Sequence, residues 1–365
     1  MPAPTVLFIS AQPGSVGHIY RVTNHVERLR EQGFAVHVLP PPGANAAIEA
    51  LPRIRAVVVF RPTHDADFQE WRLGTQRRGV PLLLDLDDLT FDAELLERGE
   101  WPYWQSLSEA GQRHWHQRFV DQDRALLQAD GAIVSTEPLA DAVRARGQRA
   151  WVWPNGFGQL SWETARAARQ SEGDDDKALI RIGYASGTPT HAADFAEIAP
   201  ALAVVLERHP QTRLCVVGAL DLGSYPALQS WAGRLEERPV VPYPQLPSEL
   251  RRFTINVAPL QINSRFCQAK SALKFFEAAA VGVPSIVSAT VPFASLVRHR
   301  RNGCLASSQQ DWIASLDWLI SDARARRRLA RRALRTVRRH CSPAAQGRCL
   351  EALLAGGLFA ESHPS

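Results

Sequence analysis

Residues 270–287 read KSALKFFEAAAVGVPSIV, a helical segment followed by a glycine–proline turn and a short apolar strand. The pattern predicts a helix over Lys270–Val281 and a strand over 285–287. The alanine-rich turn and Gly282-Val283-Pro284 allow this helix to pack closely and to hand over to the strand. A helix that leads directly into a buried strand is typical of a parallel α/β sheet.

The same alternation extends outward from this stretch in both directions. Further strands are predicted at 179–184, 213–218, Val240 and 255–259, with helices at 193–208, 225–235 and 248–253. In the first half, strands are predicted at 6–10, 35–39, 56–60, 80–84, 131–135 and 150–153, with helices at 18–32, 67–78, 94–127 and from residue 137. Short continuous apolar strands between helices indicate parallel sheets covered on both faces. With the usual crossover handedness, each half is predicted to be a Rossmann-like domain.

The division between the halves is marked by a turn and a polar segment. Pro154-Asn155-Gly156 is a turn signal, and residues 171–177 (SEGDDDK) cannot bury a core. We therefore predict an N-terminal domain over 1–155, a hinge and linker over 156–178, and a C-terminal domain over 179–342. A C-terminal helix and tail over 343–365 is predicted to pack back on the N-terminal domain. Ligands of open α/β sheets bind beyond the carboxyl ends of the strands, so the cleft between the domains is the expected site.

Composition excludes several classes of protein. The five cysteines among 365 residues are dispersed and form no CxxC pair, which argues against a disulfide framework or a zinc site. No apolar run approaches the roughly 20 residues of a membrane span, and the N-terminus lacks the basic segment of a signal peptide. These features lead us to expect a cytoplasmic location.

The net charge of +5 is concentrated near the C-terminus, where residues 321–340 contain nine arginines. One interpretation is the solvated face of an amphipathic helix that buries Ala330, Leu334 and Val337. The other is peripheral contact with anionic lipid at the inner face of a membrane. Nucleic acid is not an expected partner, because no recognition motif accompanies the arginines.

The chemistry of the opening stretch suits a nucleotide diphosphate. A helix that begins at Lys270 presents free N–H groups and a positive dipole end to a phosphate. Lys270 and Lys274 are four residues apart and so share a helix face, while Glu277 lies one turn further along, where it can accept hydrogen bonds from ribose hydroxyls. The alternative is an amphipathic helix whose lysines point to solvent and whose glutamate pairs with one of them.

These residues carry a resemblance to a known family. The stretch from Glu277 to Val287 resembles the donor-binding motif of GT4-like glycosyltransferases of the GT-B fold, in which the glutamate binds the donor ribose. Pro154-Asn155-Gly156 resembles the family's hinge. Residues 183–191 (GYASGTPTH) resemble a variant loop of bacterial polysaccharide and cell-surface glycan transferases. The resemblance implies two Rossmann-like domains, with a nucleotide-sugar donor in the C-terminal one and a glycan, lipid-linked or protein acceptor in the N-terminal one. It also implies retention of anomeric configuration and no cofactor.

The sequence departs from the family pattern at two places. Ala269 stands where the motif usually has a first glutamate, and the usual Arg/Lys pair after the first strand of the C-terminal domain is missing. We hypothesise that Lys270 and Lys274, with Arg265, supply the missing charge, and that the loop offers N–H and hydroxyl donors. The complete predicted donor site is Ser186, Gly187, Thr188, His191, Gly218, Arg265, Lys270, Ser271, Lys274 and Glu277.

A second cluster, Asp85-Leu86-Asp87-Asp88, follows the predicted strand at 81–84. Asp85-Leu86-Asp87 spells a DxD, which holds a divalent metal in GT-A enzymes, and carboxylates suit such ions. We instead expect no metal and assign the catalytic electrostatics to Asp87, Asp88 and Lys274. Capping of the next turn is the structural alternative.

The acceptor side is predicted around the loop after the first strand and around two tryptophans. The residues are Gly14, Ser15, Gly17 and His18, near Ser10, together with Trp101 and Trp104. The loop lacks GxGxxG spacing, so it does not indicate a nicotinamide site, and no GxSxG elbow indicates a hydrolase.

We therefore predict a glycosyltransferase that uses a nucleotide diphosphate sugar. A sugar-nucleotide epimerase of the same architecture is one alternative. A non-catalytic partner subunit is another, suggested by Ala269.

Overall fold

A computed structural model describes residues 3–171 and 179–360 of the chain. Within this range the chain forms two compact units. The first comprises residues 3–159, 269–271 and 342–360, and the second comprises 160–171, 179–268 and 272–341. The predicted linker residues 172–178 and tail residues 361–365 lie outside the described residues.

The first unit alternates strands and helices from its beginning. Its strands are β1 Thr5–Ser10, β2 Ala35–Leu39, β3 Ile54–Phe60, β4 Leu82–Leu86, β5 Gly131–Val134 and β6 Ala150–Val152. Its helices up to β6 are α1 Val16–His18, a π-turn Ile19–Thr23, α2 Asn24–Glu31, α3 Ala44–Ala50, α4 Ala66–Arg77, α5 Glu94–Glu97, α6 Pro102–Gln105, α7 Glu109–Gln128 and α8 Glu137–Arg144.

All six strands of the first unit pair in parallel, in the order β2-β1-β3-β4-β5-β6. The residues of β1, β3, β4 and β5 are almost entirely buried, as expected of strands covered by helices on both faces, whereas β2 lies at the edge of the sheet and buries only Val36. The core on one side includes Phe8, Val58 and Ile133 together with Leu350 and Phe359 from the end of the described chain.

The second unit repeats the architecture. Its strands are β7 Ile180–Ser186, β8 Thr212–Gly218, β9 Leu235–Arg238, β10 Ile255–Ala258, β11 Ser285–Ser288 and β12 Cys304–Ala306. Its helices are α9 Gln159–Gln170, α10 Ala192–Ala196, α11 Ala199–Arg208, α12 Leu246–Arg251, α13 Arg265–Ala269, α14 Leu273–Ala280, α15 Val291–Leu296, α16 Gln309–Ser321 and α17 Ala323–His340. Short 3₁₀ turns occupy Pro189–His191, Leu222–Ser224 and Tyr243–Gln245, and a nine-residue 3₁₀ segment occupies Pro226–Arg234.

The second sheet is also entirely parallel, in the order β9-β8-β7-β10-β11-β12. This is the strand order of a Rossmann domain. The prediction of two Rossmann-like halves in an α/β chain is therefore confirmed. The chain then returns to the first unit as helix α18 Pro343–Ala355, which packs on α2. Its Gln346 accepts a hydrogen bond from the buried Trp153 indole (3.1 Å).

The largest error in the predicted elements concerns the opening stretch. No helix begins at Lys270. The Ser264 hydroxyl accepts a hydrogen bond from the Cys267 N–H (3.1 Å), which starts α13 at Arg265, and the chain then breaks over residues 270–272 before α14 begins at Leu273. Lys270 and Lys274 therefore do not share a helix face.

Other boundaries moved for identifiable reasons. The strand predicted at Val240 is β9, which ends before Pro239 because proline has no N–H for the ladder. The helix predicted over 94–127 is three helices. They are separated at Gly99, which has a positive φ of 69°, and at Ser108, which caps α7. Helix α9 lies in the predicted linker and buries Ala165 and Ala168, a stripe too weakly apolar to be recognised in sequence.

The arginine-rich helix forms as the amphipathic interpretation expects. Helix α17 buries Ala330 and Val337, while Leu334 is only partly buried. The remaining buried positions are Ala325, Leu329 and Ala333. Within the described residues, no helix is long and apolar enough to cross a membrane.

Candidate functional site

The strand orders define where each unit can bind a ligand. In the second unit, the chain leaves β7 toward β8 on one side and later returns to β10 on the other, and in the first unit β1 lies between β2 and β3 in the same way. Crossovers in opposite directions leave a crevice at the carboxyl ends of the two central strands, where ligands of such sheets bind. The residues that follow β7, β8 and β10, and those that follow β1, β3 and β4, are therefore the candidates.

In the second unit, β7 and β8 end in an unusually close contact. Ser186 pairs with Gly218 in the register of the two strands, and the Ala219 N–H donates to the Ser186 carbonyl (2.8 Å). Gly218 has a φ of +130°, and a Cβ at this position would lie 1.8 Å from the Ser186 carbonyl oxygen. Only glycine fits here, so the ends of β7 and β8 are in direct backbone contact with no side chain between them.

The loop after β7 has the polar character expected of a phosphate site. The Ser186 hydroxyl donates to the Thr188 carbonyl (3.0 Å), and the hydroxyls of Thr188 and Thr190 lie 2.6 Å apart. Gly187 has open space where a side chain would stand. Backbone approach to a ligand is therefore possible at Gly187.

Lys274, the second residue of α14, reaches the end of the same strand. Its Nζ donates to the Ala185 carbonyl (2.7 Å) and lies 5.2 Å from the centre of the Tyr184 ring. Asn256 at β10 donates to the Lys274 carbonyl (3.2 Å), which ties the start of α14 to the sheet. The ammonium is thus held at the carboxyl end of β7.

The other predicted donor residues are placed less closely. Glu277 follows Lys274 by three residues and is partly buried on the same stretch of α14. Lys270 and Ser271 lie in the break between α13 and α14, and Arg265 is the exposed first residue of α13. The structure therefore brings Lys274 together with the β7 loop and Gly218, but it does not place Lys270 on the helix with Lys274.

Sequence reasoning missed a carboxylate beside this loop. Asp194 is buried, and its Oδ2 lies 3.0 Å from His191 Nδ1. Its Oδ1 accepts from Gln261 Nε2 (3.4 Å) and from Cys267 Sγ (3.3 Å). The signal was present as a histidine and an aspartate three residues apart at the start of a predicted helix.

In the first unit, the loop after β1 holds a serine–histidine pair. Ser10 Oγ lies 2.8 Å from His18 Nδ1, and burial lowers the pKa of His18. The Ser15 hydroxyl accepts from the His18 N–H (3.1 Å) and so caps the first helix. Gly14 has open space beside it, whereas a Cβ on Gly17 would stand 3.1 Å from both Phe60 and Arg61.

An arginine that the sequence analysis did not select organises the acidic cluster. Arg61 follows β3 and donates to both oxygens of Asp87 (2.7 and 2.8 Å), with Asp88 3.7 Å away and Gln12 Oε1 at 3.3 Å. Burial alone would lower the pKa of Arg61, but Asp87 and Asp88 outweigh burial and raise it. Asp87 is therefore a paired carboxylate at the strand edge, and the only local sign of its partner was an arginine ending an apolar strand.

Asp85 does not fit the DxD interpretation, because it lies inside β4 and not beyond it. Arg21 donates to both of its oxygens (2.7 and 3.2 Å), and neither residue is exposed to solvent. Burial alone would raise the pKa of Asp85, but Arg21 outweighs it and holds the pKa below its usual value. The remaining Arg21 nitrogen, Nη1, donates to the Trp153 carbonyl (2.6 Å) and to Asn155 Oδ1 (3.0 Å). In the part of the chain that the structure describes, no group of three histidine, cysteine or acidic side chains is arranged to hold a metal ion.

The two tryptophans predicted on the acceptor side are engaged in packing. Trp101 is 6% exposed and lies between Phe119 and Trp115, at ring distances of 5.5 and 5.1 Å. Trp104 is partly exposed and donates from its indole to the Gln112 carbonyl (2.9 Å). Trp101 has no free face for a sugar, because it belongs to the core under α7.

The two parallel sheets with their strand orders define an α/β protein of the GT-B fold, as predicted. Among similar solved structures is HepE of Anabaena in complex with UDP and glucose, with 14% identity, 97% of this chain and 100% of that chain covered, and a TM-score of 0.62. A sucrose-phosphate synthase from Thermosynechococcus elongatus is 17% identical, with coverage of 98% and 100% and a TM-score of 0.64. A glycosyltransferase from Rickettsia africae is 11% identical, with both chains covered completely and a TM-score of 0.65.

A family model refines this assignment for part of the chain. Residues 199–355 match the family described as glycosyl transferase-like. The matched segment contains Gly218, Lys274 and Glu277 and most of the second sheet. No curated protein matches the sequence.

Proposed function

We propose that the chain is a glycosyltransferase that transfers a hexose-type sugar from a nucleotide diphosphate sugar to a glycan, lipid-linked or protein acceptor. The observation that carries the proposal is the position of Lys274. Its ammonium is held at the carboxyl end of β7, beside a glycine-closed edge of the sheet, within the segment that matches the glycosyl transferase-like family. HepE, of the same fold, was solved with UDP and glucose, which supports a nucleotide-sugar donor.

On the donor side, Lys274 and the loop 186–191 are proposed to bind the diphosphate. A fixed cation and backbone donors stabilise the negative charge that develops on a departing nucleotide diphosphate. Glu277, three residues further along α14, is proposed to accept hydrogen bonds from the ribose hydroxyls. Arg265, Lys270 and Ser271 remain predicted contributors to this side.

On the acceptor side, the proposal uses the loop Gly14–His18 and the acidic cluster. Asp87, held by Arg61, and Asp88 next to it are proposed to stabilise positive charge on the reacting sugar and to orient the acceptor hydroxyl. No metal is assigned a role, because both oxygens of Asp85 are occupied by Arg21. Retention of anomeric configuration, a GT4-like subgroup and a role in polysaccharide synthesis follow from the motif resemblance and are part of the proposal. A cytoplasmic location, expected from the composition, is also part of it.

The test combines donor binding with transfer. Purified protein is screened by thermal shift against UDP, GDP, dTDP and ADP sugars, since a bound ligand stabilises the native state, and transfer is then assayed with the selected donor. Glu277→Ala should weaken donor binding at least about tenfold, the effect of losing hydrogen bonds to a charged group. Glu207→Ala, an exposed glutamate on α11, is the matched control and should bind normally.

The outcomes separate the alternatives. Conversion of the sugar nucleotide to its epimer without any acceptor would identify an epimerase. Failure to bind any sugar nucleotide would identify a non-catalytic subunit, as Ala269 suggests. Full activity in excess EDTA is expected of a metal-independent enzyme.

We further propose that α17 contacts anionic lipid. The helix contains nine arginines and no acidic residue. Its exposed arginines recur along one side, at Arg324, Arg327, Arg331, Arg335, Arg338 and Arg339. Each basic residue near an anionic surface contributes about 1 kcal/mol, so the stripe is sufficient for peripheral binding.

The protein should sediment with phosphatidylglycerol vesicles but not with phosphatidylcholine vesicles. Replacing Arg331 and Arg335 by glutamate should abolish sedimentation, and sedimentation that is unchanged would contradict lipid contact through α17.

A further inference from the structure

An arginine on α7 has no carboxylate partner among the described residues. Arg118 is partly buried, and within residues 3–171 and 179–360 it forms no hydrogen bond or ion pair. Its guanidinium stands over the Trp115 ring, 5.6 Å from the ring centre. Trp115 in turn packs edge-on against the buried Trp101, with 5.1 Å between ring centres. The aromatic core under α7 therefore orients this guanidinium without neutralising its charge.

Two hydrogen bonds place Arg118 near the acidic cluster after β4. Gln122, one helical turn after Arg118 on α7, accepts from the Thr90 hydroxyl (2.5 Å). Thr90 donates from its N–H to the Asp88 carbonyl (2.9 Å). Residues four apart share a helix face, so the face of α7 that carries Arg118 packs against the segment that follows β4. Arg118 thus lies on the side of the first unit where the acceptor is proposed to bind.

The charges around Arg118 are unfavourable for its own. Burial lowers the pKa of Arg118, and the charge of Arg61 lowers it further. Arg61 donates to both oxygens of Asp87 (2.7 and 2.8 Å), so that carboxylate is already occupied. A partly desolvated cation beside a second cation lowers the stability of the native state when it has no counterion. Groups in such environments are frequent at functional sites, where a ligand provides the missing charge.

The guanidinium is chemically suited to an oxyanion. It is planar, stays charged, and presents a fork of N–H donors that matches two oxygens of a carboxylate or a phosphate. The contact with Trp115 orients the group but supplies no oxygen acceptor. The N–H donors of Arg118 would therefore gain their acceptors from a bound anion.

We propose that Arg118 binds an oxyanion carried by the acceptor, so that the enzyme selects an acceptor with a carboxylate or a phosphate. The inference rests on the proposed function and narrows its acceptor to an anionic molecule. In that reaction Asp87 and Asp88 orient the acceptor hydroxyl, and Arg118 holds the charged group of the same molecule. A neutral acceptor is disfavoured because it leaves the donors of Arg118 without a partner.

Three glycosides that differ only at C6 test the preference: methyl β-glucoside, methyl β-glucuronide and methyl β-glucoside 6-phosphate. Their affinities for the full chain are measured by ligand-observed NMR, with the donor site filled by the nucleoside diphosphate that binds best. At least one anionic glycoside should bind about tenfold or more tightly than methyl β-glucoside. The glycoside that does so shows whether the charged group is a carboxylate or a phosphate.

Variants of α7 assign the preference to a residue. Arg118→Gln should abolish it and leave the affinities for methyl β-glucoside and for the nucleoside diphosphate unchanged. Arg118→Lys keeps the charge and the apolar stem but not the planar fork, and should retain part of the preference. The matched control is Arg113→Gln, at an exposed arginine of the same helix, which should retain all of it.

A thermal melt separates a binding role from a structural one. Without ligand, Arg118→Gln should melt no lower than the wild type, because it removes a cation without a counterion, and the preferred glycoside should raise the melting temperature of the wild type alone. Equal binding of the three glycosides, a preference that survives in Arg118→Gln, or a loss of nucleoside diphosphate affinity in that variant would each overturn the inference and leave the proposed function intact. A wild-type protein that binds no nucleoside diphosphate would overturn both.

Discussion

Replacing His25 by phenylalanine should remove much of the acid sensitivity of the first unit. The His25 ring is 1% exposed and is stacked on Trp153, with 3.6 Å between ring centres and an angle of 9° between the planes. Its Nδ1 lies 3.7 Å from Asp85 Oδ2, too far for a hydrogen bond, and neither ring nitrogen has a hydrogen-bond partner among residues 3–171 and 179–360. Burial, and secondarily the Arg21 charge, lower the pKa of His25 from 6.5 to about 4.

The sign and size of the effect follow from this pKa. Between pH 6.5 and 4 the unfolded chain binds a proton at His25 that the native state does not. The free energy of unfolding is therefore highest above pH 6.5 and falls as the pH drops toward 4. A difference between pKa values of 6.5 and about 4 corresponds to roughly 3 kcal/mol at most. The lowered pKa of Asp85 changes the free energy of unfolding mainly below the usual carboxyl pKa of 3.8, so the effects of His25 and Asp85 fall in different pH windows.

The assay is urea unfolding at pH 7.5 and pH 4.5. From pH 7.5 to 4.5 the wild-type protein should lose about 2.5 kcal/mol more than His25→Phe, which keeps a ring on Trp153 but cannot be protonated. His37→Phe, at an exposed position of β2, is the control and should retain the wild-type pH dependence. Equal losses in wild type and His25→Phe, or an NMR titration of the His25 ring near pH 6.5, would refute the reasoning.

Two further predictions concern the edges of the two sheets. Gly218→Ala should lower the melting temperature by at least about 4 °C, because the added Cβ would lie 1.8 Å from the Ser186 carbonyl oxygen. Gly187→Ala is the control and should change the melting temperature by less than about 2 °C, because its Cβ meets no atom within 4 Å. Equal shifts of the two variants in a thermal melt would contradict this prediction. Arg61→Met should leave Asp87 without its two hydrogen bonds and lower kcat/KM for the acceptor about tenfold or more at unchanged donor KM. A rise in donor KM with no change in kcat/KM for the acceptor would contradict the assignment of Arg61 to the acceptor side.

The strands were predictable because a buried strand has a local sequence signal, a short run of apolar residues. Strands buried on both faces appear as continuous apolar runs, and β1 and β8 were each placed within one residue from this signal alone. The break before α14 was not predictable in the same way. Residues 265–280 consist mostly of good helix formers and contain neither glycine nor proline, so local propensity does not mark a break. The start of α14 is instead fixed by contacts with strands, from Lys274 to Ala185 and from Asn256 to Lys274.

The candidate site was predictable in its residue types but not in its pairings. Lys274, the loop after β7 and Asp87 were identified from spacing and position. The residues that pair with the acidic side chains were not predicted, because they lie far away in the sequence and have no strong local signal of their own. Arg61 meets Asp87 across 26 positions, and Arg21 meets Asp85 across 64. Such pairs depend on strand order, which a single sequence does not reveal, and so the DxD spelling was ambiguous until β4 was placed.

The return of the last helix to the first unit has a consequence for biosynthesis. Leu350, Leu358 and Phe359 belong to the same core as Phe8 and Val58, although at least 292 positions separate them (350 − 58). During synthesis, the apolar core of the first unit therefore remains partly uncovered until the entire second unit and the last helix have been translated. A shortened chain that stops near residue 341 should consequently be recognised by chaperones and prone to precipitate, whereas co-expression with a peptide of residues 342–360 should restore its solubility.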